Sequence, residues 1–347
     1  MNDPVSTGKQ WGAQSAGALS RGAGGLSVEG LTVTLGAGGP AVIDAASFAV
    51  GPGETLCVVG ESGCGKSLTA LALMGLLPSP PMRRVAGRAL FQGRDLFQLP
   101  PAEMRALRGD LIAMIFQEPM TALNPAFTIG DQIAEAARRG GLAPAAANAR
   151  AREMLGRVGI PDPAARMAAF PHQLSGGMRQ RAMIAMALVN DPALVIADEP
   201  TTALDVTIQA QVLDLMRALQ RESGAALILI THDLGVVAEM ASDVAVMYAG
   251  RVVEAGPAER VLRDPQHPYT LGLMASTPGL GPAGGRLAAI PGLVPAAEAM
   301  PPGCRFAPRC PFAEGACAAA PPPDVEIDGR RVACIRAPLE TLAGRAA

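Results

Sequence analysis

The 347-residue chain has a formal charge of −2, which gives no reason to expect a nucleic-acid partner. Hydrophobic residues make up 49% and charged residues 17%, enough for a large core and too apolar for global disorder. No apolar run reaches the ~18 residues that a spanning helix needs, and Met1 to Leu26 lacks an apolar stretch behind a basic start, so a cytoplasmic chain with at most a peripheral membrane role is expected.

Residues 1–26, rich in Gly, Ser and Ala, predict a flexible tail. From residue 27 to about 258, strand-like apolar runs alternate with helical runs, the pattern of an α/β domain. Within it, about 118–172 is Ala-rich and lacks buried strand runs, which predicts a helical subdomain. From 259 to 347 the chain turns Pro- and Gly-rich and holds four of the six cysteines. No repeat of domain size is present.

Thr55 to Val59 (TLCVV) reads as a short buried strand and Ser67 to Leu77 as a helix. Between them stands Gly60-Glu61-Ser62-Gly63-Cys64-Gly65-Lys66-Ser67, a match to G-x-x-x-x-G-K-S/T. A strand, a glycine loop and a helix in that order let backbone N–H groups cradle a phosphate where the helix dipole favours an anion. The candidate contacts are Gly60, Ser62, Gly63, Cys64, Gly65, Lys66, Ser67 and Leu68, with Lys66 reaching the β- and γ-phosphates of ATP and Ser67 ligating Mg²⁺. Lysine occurs only at Lys9 and Lys66 among 29 basic residues, so a compact ammonium is required at 66. A chance glycine turn is the plain alternative, and the flanking strand and helix weigh against it. Cys64 reads as a small residue that fits the loop.

Further along, Gln117 follows an apolar strand. Leu174-Ser175-Gly176-Gly177-Met178-Arg179-Gln180 opens a helical run, with Ser175 a good N-cap and two glycines that permit close approach to a ligand. Leu194 to Glu199 (LVIADE) is an apolar strand ending in two carboxylates, a costly place for them without a role. Asp198 can hold Mg²⁺, and Glu199 is placed to orient or deprotonate an attacking water. His232 ends another apolar strand between Thr231 and Asp233, where an imidazole can stabilise transition-state charge. His172, just before the serine-glycine signature, reads as structural.

The order of phosphate loop, Gln117, LSGG, LVIADE, Ala203-Leu204-Asp205 and His232 resembles the ABC ATPase family. The resemblance implies a P-loop fold of ABC type, a RecA-like core with an antiparallel β subdomain and a helical subdomain. It assigns catalytic roles to Glu199, His232, Lys66 and Gln117, and Mg²⁺ ligation to Ser67, Gln117 and Asp198. It implies that Ser175, Gly176, Gly177 and Met178 contact ATP held by an opposite subunit, and that Asp205 lies on the loop crossing that dimer interface. The aromatic residue that stacks on adenine in the family has no counterpart here, the nearest position being Leu35.

Cys304, Cys310, Cys317 and Cys334 stand at Cys-x5-Cys-x6-Cys-x16-Cys spacing. Two disulfides do not suit a reducing compartment. Four thiolates suit a structural zinc, although the paired spacings zinc favours are missing, or a 4Fe–4S cluster; buried unliganded cysteines are the remaining reading. With His267-Pro268-Tyr269-Thr270 and the run Asp198–Leu213, this region resembles the C-terminal extension of the ATPases of oligopeptide and dipeptide importers, which implies a 4Fe–4S cluster on the four cysteines. The resemblance also implies ATP and Mg²⁺ as cofactors, a second and non-identical ATPase, two membrane permease subunits and an extracytoplasmic solute-binding protein as partners, and a place on the cytoplasmic face of the membrane. Importers of nickel, glutathione or another small solute share this machinery. A soluble ABC ATPase is the rival outside transport, and the paired ATPase units or long coiled coil common in such proteins are not seen.

Overall fold

A computed structural model describes residues 25–202, 204–277 and 289–339. The expected tail lies outside the described residues up to residue 24, and Leu26 already opens a strand.

Strands β1 (Leu26–Leu35), β2 (Ala41–Val50), β4 (Met82–Phe91) and β5 (Arg94–Asp95) form an antiparallel sheet in the order β2-β1-β4-β5. The larger sheet has the order β11-β12-β10-β9-β3-β8-β7-β6. Its parallel half consists of β3 (Thr55–Val59), β6 (Ile112–Ile115), β7 (Leu194–Asp198), β8 (Ala226–Thr231) and β9 (Asp243–Tyr248). Its antiparallel edge consists of β10 (Arg251–Pro257), β11 (Val325–Ile327) and β12 (Arg330–Val332). Strands β3, β6, β7 and β8 are buried at every position, because helices cover one face and the antiparallel sheet the other. Side chains alternate between two cores accordingly. Cys57, Ala113, Val195 and Leu227 face the helices, whereas Leu56, Ile112, Leu194 and Ile228 join the core shared with the small sheet.

The helices are α1 (Lys66–Leu73), α2 (Pro101–Leu107), α3 (Pro119–Ala122), α4 (Ile129–Arg139), α5 (Pro144–Arg157), α6 (Pro163–Arg166), α7 (Gly176–Leu188), α8 (Val206–Ser223), α9 (Leu234–Met240), α10 (Ala258–Arg263), α11 (Pro268–Ala275) and α12 (Gly315–Ala319). Between β6 and β7 the chain contains helices alone, α3 to α7 with one 3₁₀ turn. Helix α4 is capped by Thr128, which accepts the Asp131 N–H, and buries Ile129, Ile133, Ala134 and Ala137 along one face. The helix expected over Ser67–Leu77 begins at Lys66 and ends at Leu73, because Gly75 takes the left-handed conformation (φ 61°) that closes a helix. No helix among the described residues is long and apolar enough to cross a membrane.

Residues beyond β10 pack back onto the large sheet. Arg330, on β12, is fully buried, with an ion pair to Asp264 at 2.9 Å and bonds to the Asp264 and Arg260 carbonyls. Glu254 on β10 accepts the Gln266 and His267 backbone N–H groups, both at 2.9 Å. The cysteine-bearing segment is not all loop: α12 carries Cys317, and a 3₁₀ turn spans Ala307–Arg309.

Candidate active site

The candidate residues collect at the carboxyl ends of the parallel strands β3, β6, β7 and β8, where open α/β sheets place their ligand crevice. β3 runs into the phosphate loop. Gly60 has φ 154°, and a Cβ there would stand 2.1 Å from the Met247 carbonyl oxygen, so only glycine lets the loop leave β3 against β9. The Lys66 ammonium is buried and folded onto the loop, donating to the carbonyls of Gly60 (2.8 Å) and Glu61 (3.1 Å). Cys64 is packed beneath it, with burial pushing its thiol up.

Ser67 Oγ donates to Asp198 Oδ1 at 3.0 Å, which joins the head of α1 to the end of β7. Burial pushes the Asp198 carboxyl up, opposed by the Ser67 hydrogen bond, reinforced by Glu199 and opposed by Lys66. These paired hard oxygens, at a carboxylate held in a desolvated place, fit a divalent cation. Glu199 follows with φ 45°, a left-handed conformation that costs a non-glycine residue roughly 1–2 kcal/mol. The turn aims its carboxylate across the strand ends. Glu199 Oε2 accepts from Gln117 Nε2 (3.1 Å) and Thr202 Oγ1 (2.8 Å) and lies 3.5 Å from His232 Nδ1. Gln117, Asp198, Glu199 and His232, from three strands, thus surround one point above Ser67 and Lys66.

Other candidates lie apart from this group. Ser175 is exposed and caps α7 by accepting the Met178 N–H at 3.3 Å. Gly176 is exposed, and Gly177 faces Ile208 of α8, whose methyl a Cβ would meet at 3.2 Å. Asp205 is exposed and caps α8 by accepting the Ile208 N–H at 3.0 Å; Ala203 lies outside the described residues. His172 stacks on Phe170 with ring centroids 5.7 Å apart. Leu35 ends β1, half-buried. Leu68 lies half-buried in the first turn of α1.

The four C-terminal cysteines, all free thiols, line one cavity of about 20 Å³ together with His267, Phe306 and Arg336. Burial raises Cys304, Cys310 (to about 11) and Cys334, and the neighbouring sulfurs raise them further. Among the described residues no three His, Cys, Asp or Glu side chains converge closely enough to hold a single metal ion.

Three residues at this site, Glu61, Tyr269 and Arg309, have no role assigned from the sequence, although the first two stand within motifs singled out there. Glu61 is gripped by Arg309, with Nη1–Oε2 at 2.6 Å and Nη2–Oε1 at 3.0 Å, and its backbone N–H donates to the Tyr269 hydroxyl at 2.8 Å. A compositional signal was also present: the chain's only two tyrosines, Tyr248 and Tyr269, meet here with ring centroids 4.6 Å apart.

Residues 43–202 match the ABC transporter family, and residues 253–317 match the oligopeptide/dipeptide transporter C-terminal region. A putative peptide import ATP-binding protein of Brucella melitensis is 54% identical over 302 residues, covering 83% of this chain and 89% of that protein. The dipeptide transport ATP-binding protein DppD of Bacillus subtilis is 52% identical over 289 residues, covering 82% and 86%. Among solved structures, a dimeric bacterial ABC transporter cassette matches with a TM-score of 0.60 at 25% identity, covering 67% of this chain and 98% of that one. The same cassette, as a dimer in a post-hydrolysis state bound to ADP and Pi, matches with a TM-score of 0.59. The chain belongs to the ATP-binding proteins of ABC transporters, in the branch that carries the oligopeptide/dipeptide transporter C-terminal region, and it is an ATPase.

Proposed function

We propose that this chain is the ATP-hydrolysing subunit of an importer of dipeptides or oligopeptides, acting on the cytoplasmic face of the membrane. The observation that carries the chemistry is the convergence of Gln117, Thr202 and His232 on the Glu199 carboxylate, beside the Ser67–Asp198 pair and Lys66. The cargo assignment is supported by the C-terminal match and by the relatives of Brucella and Bacillus.

In this reading the amides of Gly60, Ser62, Gly63, Cys64, Gly65, Lys66, Ser67 and Leu68 cradle the phosphates, while the Glu61 N–H stays with Tyr269. Lys66 exchanges the carbonyls of Gly60 and Glu61 for the β- and γ-phosphate oxygens. Ser67, Asp198 and Gln117 would hold Mg²⁺, which neutralises charge on the phosphates. Glu199 orients the attacking water and takes its proton, while His232, 3.5 Å from the same carboxylate, stabilises charge on the departing γ-phosphoryl group. Ser175 and Gly176 are exposed on this chain, with Gly177 and Met178 half-buried beside them, which suits contact of this helix start with ATP held by a second ATPase across the Asp205 loop. The partner ATPase is a homologous, non-identical chain, and the pair drives two permease subunits fed by a solute-binding protein. Residues 27–258 are the nucleotide-binding domain, with its helical subdomain at about 118–172, and 259–347 the extension. The four cysteines would hold a 4Fe–4S cluster: all four line one cavity, and the Arg336 N–H lies 3.4 Å from Cys334 Sγ.

The test is gentle purification of the tagged chain from its own membranes with mass spectrometry of what accompanies it. Two permease subunits, a second ATPase and a peptide-loaded binding protein are expected. A chain with no membrane partner would remove the transport role and leave the ATPase.

A further inference from the structure

The segment Cys304–Cys310 carries a thiol of the four-cysteine cavity at each end, and three of its side chains reach into the nucleotide-binding part of the chain. Arg305 pairs with Asp44 of β2 at 2.7 Å and donates to the Ala249 carbonyl. Phe306 is buried among Tyr248 (5.1 Å between centroids), Tyr269 (5.4 Å) and His267 (6.0 Å). Arg309, with only 5% of its side chain exposed, grips Glu61. Its remaining donors reach Tyr248 Oη (3.4 Å), the Ile290 carbonyl (3.3 Å) and the Pro291 carbonyl (2.8 Å). All five N–H groups of a guanidinium are therefore used, in a fork that no other side chain reproduces.

Glu61 is the second residue of the phosphate loop, and it is held at three points. Its carboxylate is held by Arg309, its N–H by Tyr269, and its carbonyl by the same Lys66 ammonium that reads the phosphates. We infer that Arg309 and Tyr269 are positioning residues for the phosphate loop, so that the order of the four-cysteine module sets how tightly this chain holds nucleotide. The inference rests on the reading of residues 60–67 as a phosphate loop. Arg309 touches no reacting atom; releasing Glu61 lets the start of the loop and the Lys66 anchor drift, which weakens ATP capture and leaves the water-activating end of β7 in place.

The test is a double-mutant cycle on the full chain, purified anaerobically, with a fluorescent non-hydrolysable ATP analogue as probe and Lys66→Ala as reference. Glu61→Gln and Arg309→Gln should each weaken binding by about tenfold, the value of one bidentate charged contact, and the double variant should be no weaker than either single one. In Arg309→Gln, KM for ATP should rise with kcat at saturating ATP held within about twofold, a split that general loss of folded protein does not give. Arg309→Lys, which keeps the charge and loses the fork, should resemble Arg309→Gln. Wild-type affinity in the single variants, or losses that multiply in the double, would overturn the inference. Should Arg309→Gln fail to fold, amide exchange in Glu61→Gln decides: faster exchange at both 61–66 and 304–310 is expected, and an unchanged 304–310 segment refutes the link. If Lys66→Ala binds the probe like wild type, it is the phosphate-loop reading that fails.

Discussion

Replacing Glu199 by Gln separates holding ATP from cleaving it. The amide has the shape of the carboxylate and keeps one oxygen for the Thr202 hydroxyl and the Gln117 amide, which lie 2.8 and 3.1 Å from Glu199 Oε2. The backbone turn at φ 45° is no harder for Gln than for Glu. Stability should therefore change by about 1 kcal/mol or less. Nothing in the phosphate loop is touched, because Lys66 and Ser67 are held by Gly60, Glu61 and Asp198. What is lost is the proton acceptor, and removing a positioned general base costs roughly 10²- to 10⁴-fold in rate, about 2.7–5.5 kcal/mol of barrier. Phosphate release at saturating MgATP, with equilibrium ATP binding measured on the same preparation, checks both halves. Turnover within about tenfold of wild type and unchanged binding would refute the role given to Glu199.

Gly60→Ala places a Cβ 2.1 Å from the Met247 carbonyl, so it should destabilise by about 2 kcal/mol or more and lower the melting temperature by about 3 °C or more; an unchanged melting curve contradicts the packing described. Burial holds the His267 imidazole down to about 3 against its usual 6.5, so the unfolded chain takes up a proton that the folded chain refuses. Its contribution is full above about pH 6.5 and is lost as pH falls from there toward 3. Glu254, raised by burial, works in the opposite direction, so His267→Asn, which can cap α11 in the same way, isolates the imidazole. The variant should lose less stability than wild type between pH 7 and 5 in urea titrations, and equal losses would sink this account. Anaerobically purified protein should be brown and contain about 4 iron atoms per chain; colourless protein with about one zinc would favour the tetrathiolate site.

The phosphate loop, the paired carboxylates and His232 were legible because each is a local pattern. An apolar run of strand length stops, and a polar or glycine-rich group follows at the carboxyl end. Gln117 and the signature needed the order of motifs as well, since an exposed Gln and a capped helix start mean little alone. What the chain order hid is tertiary. The Cys304–Cys310 segment reads as a Pro- and Arg-rich connector, and nothing local distinguishes Arg309, bound to a loop far up the chain, from the exposed arginine of an ordinary turn. The hairpin β11–β12 is equally silent, because its three-residue strands are too short to show a period. Its place on the large sheet comes from pairing with β10, far back in the chain, beside which Arg330 reaches Asp264.

The Tyr269 and Arg309 contacts to Glu61 close over 208 and 248 residues of chain. During synthesis the nucleotide loop leaves the ribosome long before either of its braces exists. The nascent chain therefore holds a complete set of ATP motifs well ahead of the geometry that seats them, and long-range closures of this kind form late and slowly. A fragment ending after β10 would reproduce that half-made stage permanently, a recognisable cassette by its letters with an unbraced loop. Only translation through Arg309 supplies the last of the contacts that hold Glu61.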